Sequence, residues 1–286
     1  LGIGSNTQIA QAVQKALDGQ RVSAFGDKAD LPLNGDRVLS TANYSAYLKI
    51  AEGCDNRCSF CAIPLIRGGF RSRRMEDILE EARGLAASGV KELNLVAQDT
   101  TRYGQDLYGE YSLDKLLTEL CKIDGFHWIR VLYGYPDRVT DSLLEVMARE
   151  PKVVKYIDLP LQHASGRVLK EMNRNGNFDS LCALMQRIRS KVPGVVLRTT
   201  LIAGFPGETE EDFEQLCEFV RAVRFERLGC FAYSQEEDTP AGEREDQVDP
   251  QVRMHRADLV MEEQMDIAFQ MGKELVGKKL EVLVEG

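Results

Sequence analysis

The sequence holds only three histidines and one tryptophan, and no uninterrupted apolar run approaches the ~20 residues that a membrane helix needs. Its opening residues, LGIGSNTQIA, lack the basic-then-apolar order of a secretory signal. Leu1 is not an initiator methionine, so a piece or processed form of a longer chain is expected. Positive charge is also in deficit: 36 Lys and Arg stand against 45 Asp and Glu, a net charge of -9. That balance argues against a main affinity for phosphate backbone, so direct nucleic-acid binding is not expected, although a local basic patch remains open. A basic partner would be attracted at long range. There is no internal repeat of fixed period and no low-complexity tract.

What is present is ordinary for a globular protein: 286 residues, 43% hydrophobic and 28% charged, enough to bury a core of its own. Short β-rich runs occur at Tyr47–Glu52, Glu92–Ala97, Trp128–Tyr133, Val154–Leu159, Val195–Ala203 and Leu228–Tyr233. Between them the spacing predicts helices at Met75–Ala87, Leu113–Ile123, Ser142–Arg149, Arg167–Met172 with Leu181–Ile188, and Thr209–Val223. A further helix is expected at Ile9–Leu17, and a long one from Pro250 to Leu275. Six strands alternating with helices imply parallel β/α units, an α/β fold best read as a partial (β/α)6 barrel, with a doubly wound sheet as the rival. In either, ligands gather at the carboxyl ends of the strands. Residues 1–43 then form an N-terminal extension, 44–249 the barrel, 250–276 a C-terminal helix, and 277–286 the start of a further element, with a strand at Lys279–Glu285.

Seven cysteines are present, and three of them, Cys54, Cys58 and Cys61, fall within AEGCDNRCSFCAIP directly after the first strand. An odd number with this clustering suits metal or catalytic use in the cytoplasm better than a disulfide scaffold. A structural zinc site and an ordinary cubane cluster both want four protein ligands, and the histidines are distant in sequence. Three thiolates on a cubane would leave one iron open to a small molecule. A zinc site with a remote fourth ligand, as in a non-catalytic interaction module, stays open at this point. Cys121, Cys182, Cys217 and Cys230 have no mutual ligand spacing and read as apolar core thiols. Arg67, Arg71, Arg73 and Arg74 read first as a solvated basic run.

The Cys-x-x-x-Cys-x-x-Cys loop, with Phe60 before its last cysteine and its place at the end of strand one, resembles that of the radical S-adenosylmethionine enzymes. The resemblance implies a 4Fe-4S cluster on Cys54, Cys58 and Cys61 whose open iron is chelated by S-adenosylmethionine. One electron then cleaves the cofactor to a 5′-deoxyadenosyl radical, which takes hydrogen from substrate. It also implies cofactor contacts at Phe60. Gln98 or Asp99 would hold the amino group, although the family's Gly-Gly-Glu wording is absent there. Gln162, His163 and Ser165 would lie near the ribose, His163 being readable instead as a hydrogen-bonded loop residue. Arg198 sits in the apolar strand VVLRTTLIAGF and needs an anion, either the cofactor carboxylate or an internal acid. Gly204 and Glu208, in GFPGET, would approach the adenine, although Thr209 with Asp212 also reads as a helix cap.

The segments YLKIAEGCDNRCSFCAIPLIRG, VAQDTTRYGQDLYG, YIDLPLQHAS, RTTLIAGFPGETEEDF and GCFAYSQEEDTPA further resemble the radical methylthiotransferases. The wording after strands two and six is similar to the branch that modifies an aspartate of small-subunit ribosomal protein twelve rather than the branch that modifies a tRNA adenosine. Tyr233, Glu236, Glu237 and Asp238 would then meet a basic protein substrate. The resemblance also implies an electron donor such as flavodoxin or ferredoxin. It places a second 4Fe-4S cluster on an N-terminal domain of the full-length protein, and a C-terminal TRAM module, of which residues 277–286 would be the start.

Overall fold

A computed structural model describes residues 1–35, 37–39 and 42–284. After α1 (Ile9–Leu17), the chain enters β1 (Ser45–Lys49) and then β2 (Ala51–Glu52). The first β-rich run is thus split in two. Its N-terminal half joins the parallel sheet, while β2 pairs antiparallel with β3 (Arg71–Ser72), Ala51 opposite Ser72 and Glu52 opposite Arg71. Between β2 and β3 lie the cysteine loop and a short helix, α2 (Ile63–Arg67). The ladder and a bond from the Cys54 N–H to the Gly68 carbonyl (3.1 Å) tie off this excursion at its root. Gly53 sits at that root with φ +75°, and a Cβ there would lie 2.1 Å from the Gly69 oxygen, so the turn admits only glycine.

The remaining elements alternate as expected. They are α3 (Met75–Ala87), β4 (Glu92–Val96), α4 (Gln105–Tyr108), α5 (Leu113–Cys121), β5 (Trp128–Val131), α6 (Asp141–Arg149), β6 (Tyr156–Asp158), α7 (Gly166–Glu171), α8 (Phe178–Lys191), β7 (Val196–Ala203), α9 (Glu210–Val223), β8 (Arg227–Ala232) and α10 (Pro250–Leu275). Two three-stranded parallel sheets, in the orders β1-β4-β5 and β6-β7-β8, are joined by a bridge between Ile129 and Val153. Six parallel strands therefore run in sequence order as an open barrel. Among the described residues β1 and β8 are not paired to one another, so the barrel does not close.

Alternation along β7 separates two faces. On β7, Leu197, Thr199, Leu201 and Ala203 are buried, while Val196, Arg198, Thr200 and Ile202 on the other face are half-buried. The buried face packs on the helices, where Leu93, Leu95, Ile129, Leu116 and Leu216 are fully enclosed. Each such side chain contributes about 1.5–3 kcal/mol of transfer free energy. The second, inner face carries the charged residues Glu92, Arg130, Asp158 and Arg198. α10 belongs to this structure rather than standing apart: it covers β8 and α9, and Gln264 donates to the Phe225 carbonyl at 2.9 Å.

The basic run is not simply solvated. Arg73 is buried, donating to Asn34 Oδ1 (2.7 Å) and the Lys49 carbonyl (2.8 Å) and pairing with Glu81 (2.7 Å). Arg71 donates to the carbonyls of Lys28, Ala29 and Leu31. The two arginines thereby fasten the N-terminal extension to the barrel. The strand expected at Lys279–Glu285 does not form over residues 279–284, where Glu281 reaches His127 at 3.1 Å; Glu285 lies outside the described residues. Among the described residues no helix is long and apolar enough to cross a membrane.

Candidate cofactor and metal site

A cavity of about 360 Å³ opens at the carboxyl ends of the strands. Cys54, Cys58 and Cys61 line it together with Asn56, Phe60, Gln98, Tyr133, Gly134, Tyr135, Pro160, Gln162 and Arg174. The cysteines reach it because the residues between them are anchored elsewhere. Asp55 accepts from the Phe70 N–H (2.9 Å) and pairs with Arg102 (2.9 Å). Asn56 donates to Asp99 Oδ2 (3.0 Å) and accepts from Arg138 (2.9 Å). The Arg57 carbonyl accepts from Asn173 (2.6 Å), and Ser59 Oγ donates to the Glu171 carbonyl (2.7 Å). With its spacer residues fixed, the loop leaves its three thiols to the cavity.

Arg174 stands beside them, its guanidinium 3.5 Å from Cys58 Sγ and 4.3 Å from the centre of the Tyr135 ring. Burial nevertheless pushes the Cys54 thiol up to about 11, with Asp99 adding to the rise, and burial raises Cys61 as well. Thiols in this state become thiolates when a metal replaces their protons. Among the described residues no three Cys, His, Asp or Glu side chains form a cage for a single ion. A cluster that takes each thiolate on a separate iron does not require such convergence.

Two further groups face the same space. The side-chain oxygens of Gln98 and Gln162 are buried without a hydrogen-bond partner, and each is an acceptor whose desolvation is uncompensated within the chain. Gln162 has φ +74° and Tyr133 has φ +60°, both left-handed and non-glycine. Backbone bonds to Thr200 and Ile202 hold Gln162 in that conformation. Strain and orphaned acceptors concentrated on one cavity fit a polar ligand with N–H donors.

Other residues expected at the cofactor do not line this cavity. Asp99 is buried beneath it, accepting from Asn56, Thr101 (2.7 Å) and Arg138 (2.7 Å), so it fixes the loop. Ser165 caps α7 and donates to Asp212 (2.6 Å). Its N–H donates to His163 Nδ1 (2.9 Å), which puts the histidine proton on Nε2, facing Glu208 at 3.2 Å. Glu208 accepts from the Gly204 N–H (2.9 Å) and from Arg256 (2.9 Å), joining β7 to α10. Gly204 is closed off by Arg253 of α10, which a Cβ would strike at 2.4 Å. Arg198 finds its anion internally, donating to Asp158 at 2.8 Å. Tyr233 is buried against Phe205 and Arg253, whereas Glu236, Glu237 and Asp238 are exposed. Thr209 and Asp212 form the reciprocal cap of α9.

Asn56, Arg138, Tyr135 and Arg174 were not singled out by sequence. Asn56, at least, could have been suspected, because an amide inside a ligand loop needs a partner.

An open six-stranded parallel barrel with a cysteine triad at its carboxyl end defines the class: the chain belongs to the Radical SAM superfamily, matching it over residues 48–220. Within it, the chain is 52% identical over its whole length to the ribosomal protein uS12 methylthiotransferase RimO of Symbiobacterium thermophilum, and 51% identical to that of Pelotomaculum thermopropionicum. It spans 59% and 65% of those two relatives. Solved structures share the fold at low identity. The radical S-adenosylmethionine methyltransferase TsrM of Kitasatospora setae has a TM-score of 0.63 at 14% identity, covering 85% of this chain and 52% of its own. Coproporphyrinogen III oxidase of Escherichia coli has a TM-score of 0.58 at 19% identity, covering 79% and 52%.

Proposed function

We propose that this chain is the radical domain of a cytoplasmic methylthiotransferase acting on an aspartate of ribosomal protein uS12, with Cys54, Cys58 and Cys61 holding a 4Fe-4S cluster. The observation that carries the reading is the cavity itself, where three thiols meet two unpartnered amide oxygens. The names of relatives about half identical along the whole chain support the substrate. When bound, cluster and S-adenosylmethionine supply one-electron cleavage and a hydrogen-abstracting radical. The chain's own residues do the rest. Gln98 and Gln162 offer acceptors to the cofactor's N–H groups, Phe60 and Tyr135 wall the site, and Arg174 places positive charge beside the thiolates. The exposed Glu236–Glu237–Asp238 loop favours encounter with a basic protein and disfavours phosphate.

The test is anaerobic reconstitution followed by iron and acid-labile sulfide analysis. Loss of both on replacing any of Cys54, Cys58 or Cys61 by Ala is expected, with retention on replacing Cys121 or Cys217. Stoichiometric zinc without sulfide would sink the cluster. Incubating the full-length protein with uS12 and tRNA decides the substrate: methylthio-aspartate supports this reading, and methylthioadenosine in tRNA with unmodified uS12 overturns it.

A further inference from the structure

Three arginines and two carboxylates share the inner face of the barrel, and Asp158 among them is tied to the cysteine cavity through Tyr133. Arg130 of β5 is bound to Glu92 of β4 through Nε (2.8 Å) and NH2 (2.7 Å), and lies 4.9 Å from the centre of the Tyr156 ring. Arg198 of β7 donates through NH1 to Asp158 Oδ1 of β6 at 2.8 Å. The other Asp158 oxygen accepts from the N–H of Tyr133, the strained residue that lines the cavity (3.3 Å). Arg227 of β8 is in parallel register with Arg198, so both side chains leave the same face. Arg227 is exposed and donates to the Glu226 carbonyl at 2.9 Å; among the described residues it has no carboxylate partner.

Counting Arg130, Arg198 and Arg227 against Glu92 and Asp158 leaves one positive charge unmatched, inside a chain whose net charge is -9. Among the described residues, Arg198 makes no hydrogen bond through Nε or NH2, and its side chain is 37% exposed. A guanidinium with a free edge, in register with a second guanidinium that has no carboxylate partner, is a seat for a planar anion, and a carboxylate meets it with two parallel hydrogen bonds. The site is reached from the side, because β1 and β8 leave the barrel open and carry the exposed aromatics Tyr47 and Phe231. That opening suits a segment of polypeptide rather than a small enclosed metabolite.

We infer that Arg198 and Arg227 seat the side-chain carboxylate of the target acidic residue, an assignment that rests on the polypeptide substrate proposed above. Clamping that carboxylate fixes the carbon one bond away, on the inner face that Asp158 and Tyr133 link to the cysteine cavity. An amide in its place brings N–H donors against guanidinium donors and loses the charge, so the seat discriminates aspartate from asparagine.

The experiment uses the reconstituted full-length protein and two peptides spanning the uS12 target residue, one with the native aspartate and one with asparagine there. Affinity for each is measured by titration calorimetry, with S-adenosylmethionine affinity measured in parallel. Wild type should prefer the aspartate peptide by about tenfold or more, the scale of a charged hydrogen bond. Arg227→Met leaves the Arg198–Asp158 pair in place, and Arg198→Lys keeps a cation beside Asp158, so both variants should fold. Each should cut the preference several-fold by weakening the aspartate peptide alone, without changing cofactor affinity. An unchanged aspartate-to-asparagine ratio in both variants overturns the seat, as does a wild type with no preference. Loss of cofactor affinity in place of peptide preference would assign Arg198 to the cofactor instead. Product analysis of the same protein separates the two levels: methylthiolated peptide with an unchanged ratio sinks the seat alone, whereas modified tRNA and untouched peptide sink the substrate reading.

Discussion

Asn56, in the middle of the cysteine loop, is bound to Asp99, three residues past β4, at 3.0 Å, and Arg138 after β5 bridges both, 2.7 Å from Asp99 and 2.9 Å from Asn56. Three residues far apart in sequence thus lock the loop onto the barrel mouth. None of the three is a ligand, but together they set where the ligands stand.

Asp99→Asn keeps the shape and removes the charge that Arg138 and Asn56 share. It should cost about 1.5–3 kcal/mol of stability, the scale of a charge-assisted hydrogen bond. Urea unfolding of the metal-free protein measures this, and iron retained after gel filtration reports the loop. Full stability with full iron would show the lock to be dispensable.

Gly53→Ala should be worse for the loop than for the barrel. Left-handed backbone costs a non-glycine residue about 1–2 kcal/mol, and the added methyl meets the Gly69 carbonyl. Reduced cluster occupancy with near-normal far-UV circular dichroism is the expected pair of results. Wild-type occupancy would show that the root of the loop can give way.

In the metal-free protein, burial holds the Cys54 thiol up to about 11, above its ordinary range. The protonated thiol is the unreactive form, so iodoacetamide should label Cys54 slowly at neutral pH and progressively faster as pH rises toward 11. Peptide mapping by mass spectrometry gives the rate at each pH. A plateau below pH 9 would contradict the burial.

Asp212 should set part of the acid limb of stability. Burial alone would raise its carboxyl, but hydrogen bonds from Arg167, Ser165 and Thr209 hold it below the ordinary carboxylate range. A carboxylate depressed in the folded state stabilises fully above its unfolded value of about 3.9, and that contribution is lost as pH falls through the lower folded value. Asp212→Asn should therefore be less stable than wild type at pH 7, and the difference should shrink below about pH 4. Parallel stability–pH curves for the two proteins would remove Asp212 from the account.

Local and periodic features were legible in the order of residues alone. Short β-rich runs placed all six barrel strands, and helical spacing gave α3 and α10 their full extents, because these patterns lie within one element. Three cysteines in eight residues likewise announced the site, since a short loop must bring them near one another. Tertiary structure alone decided which polar groups were free. Arg198 needed an anion, but only folding chose Asp158, forty positions away, and the same held for Ser165 with Asp212 and Glu208 with Arg256. A sequence shows that a buried charge must be neutralised. The neutralising partner is fixed by strand order and register, which bring together residues whose separation along the chain carries no such information.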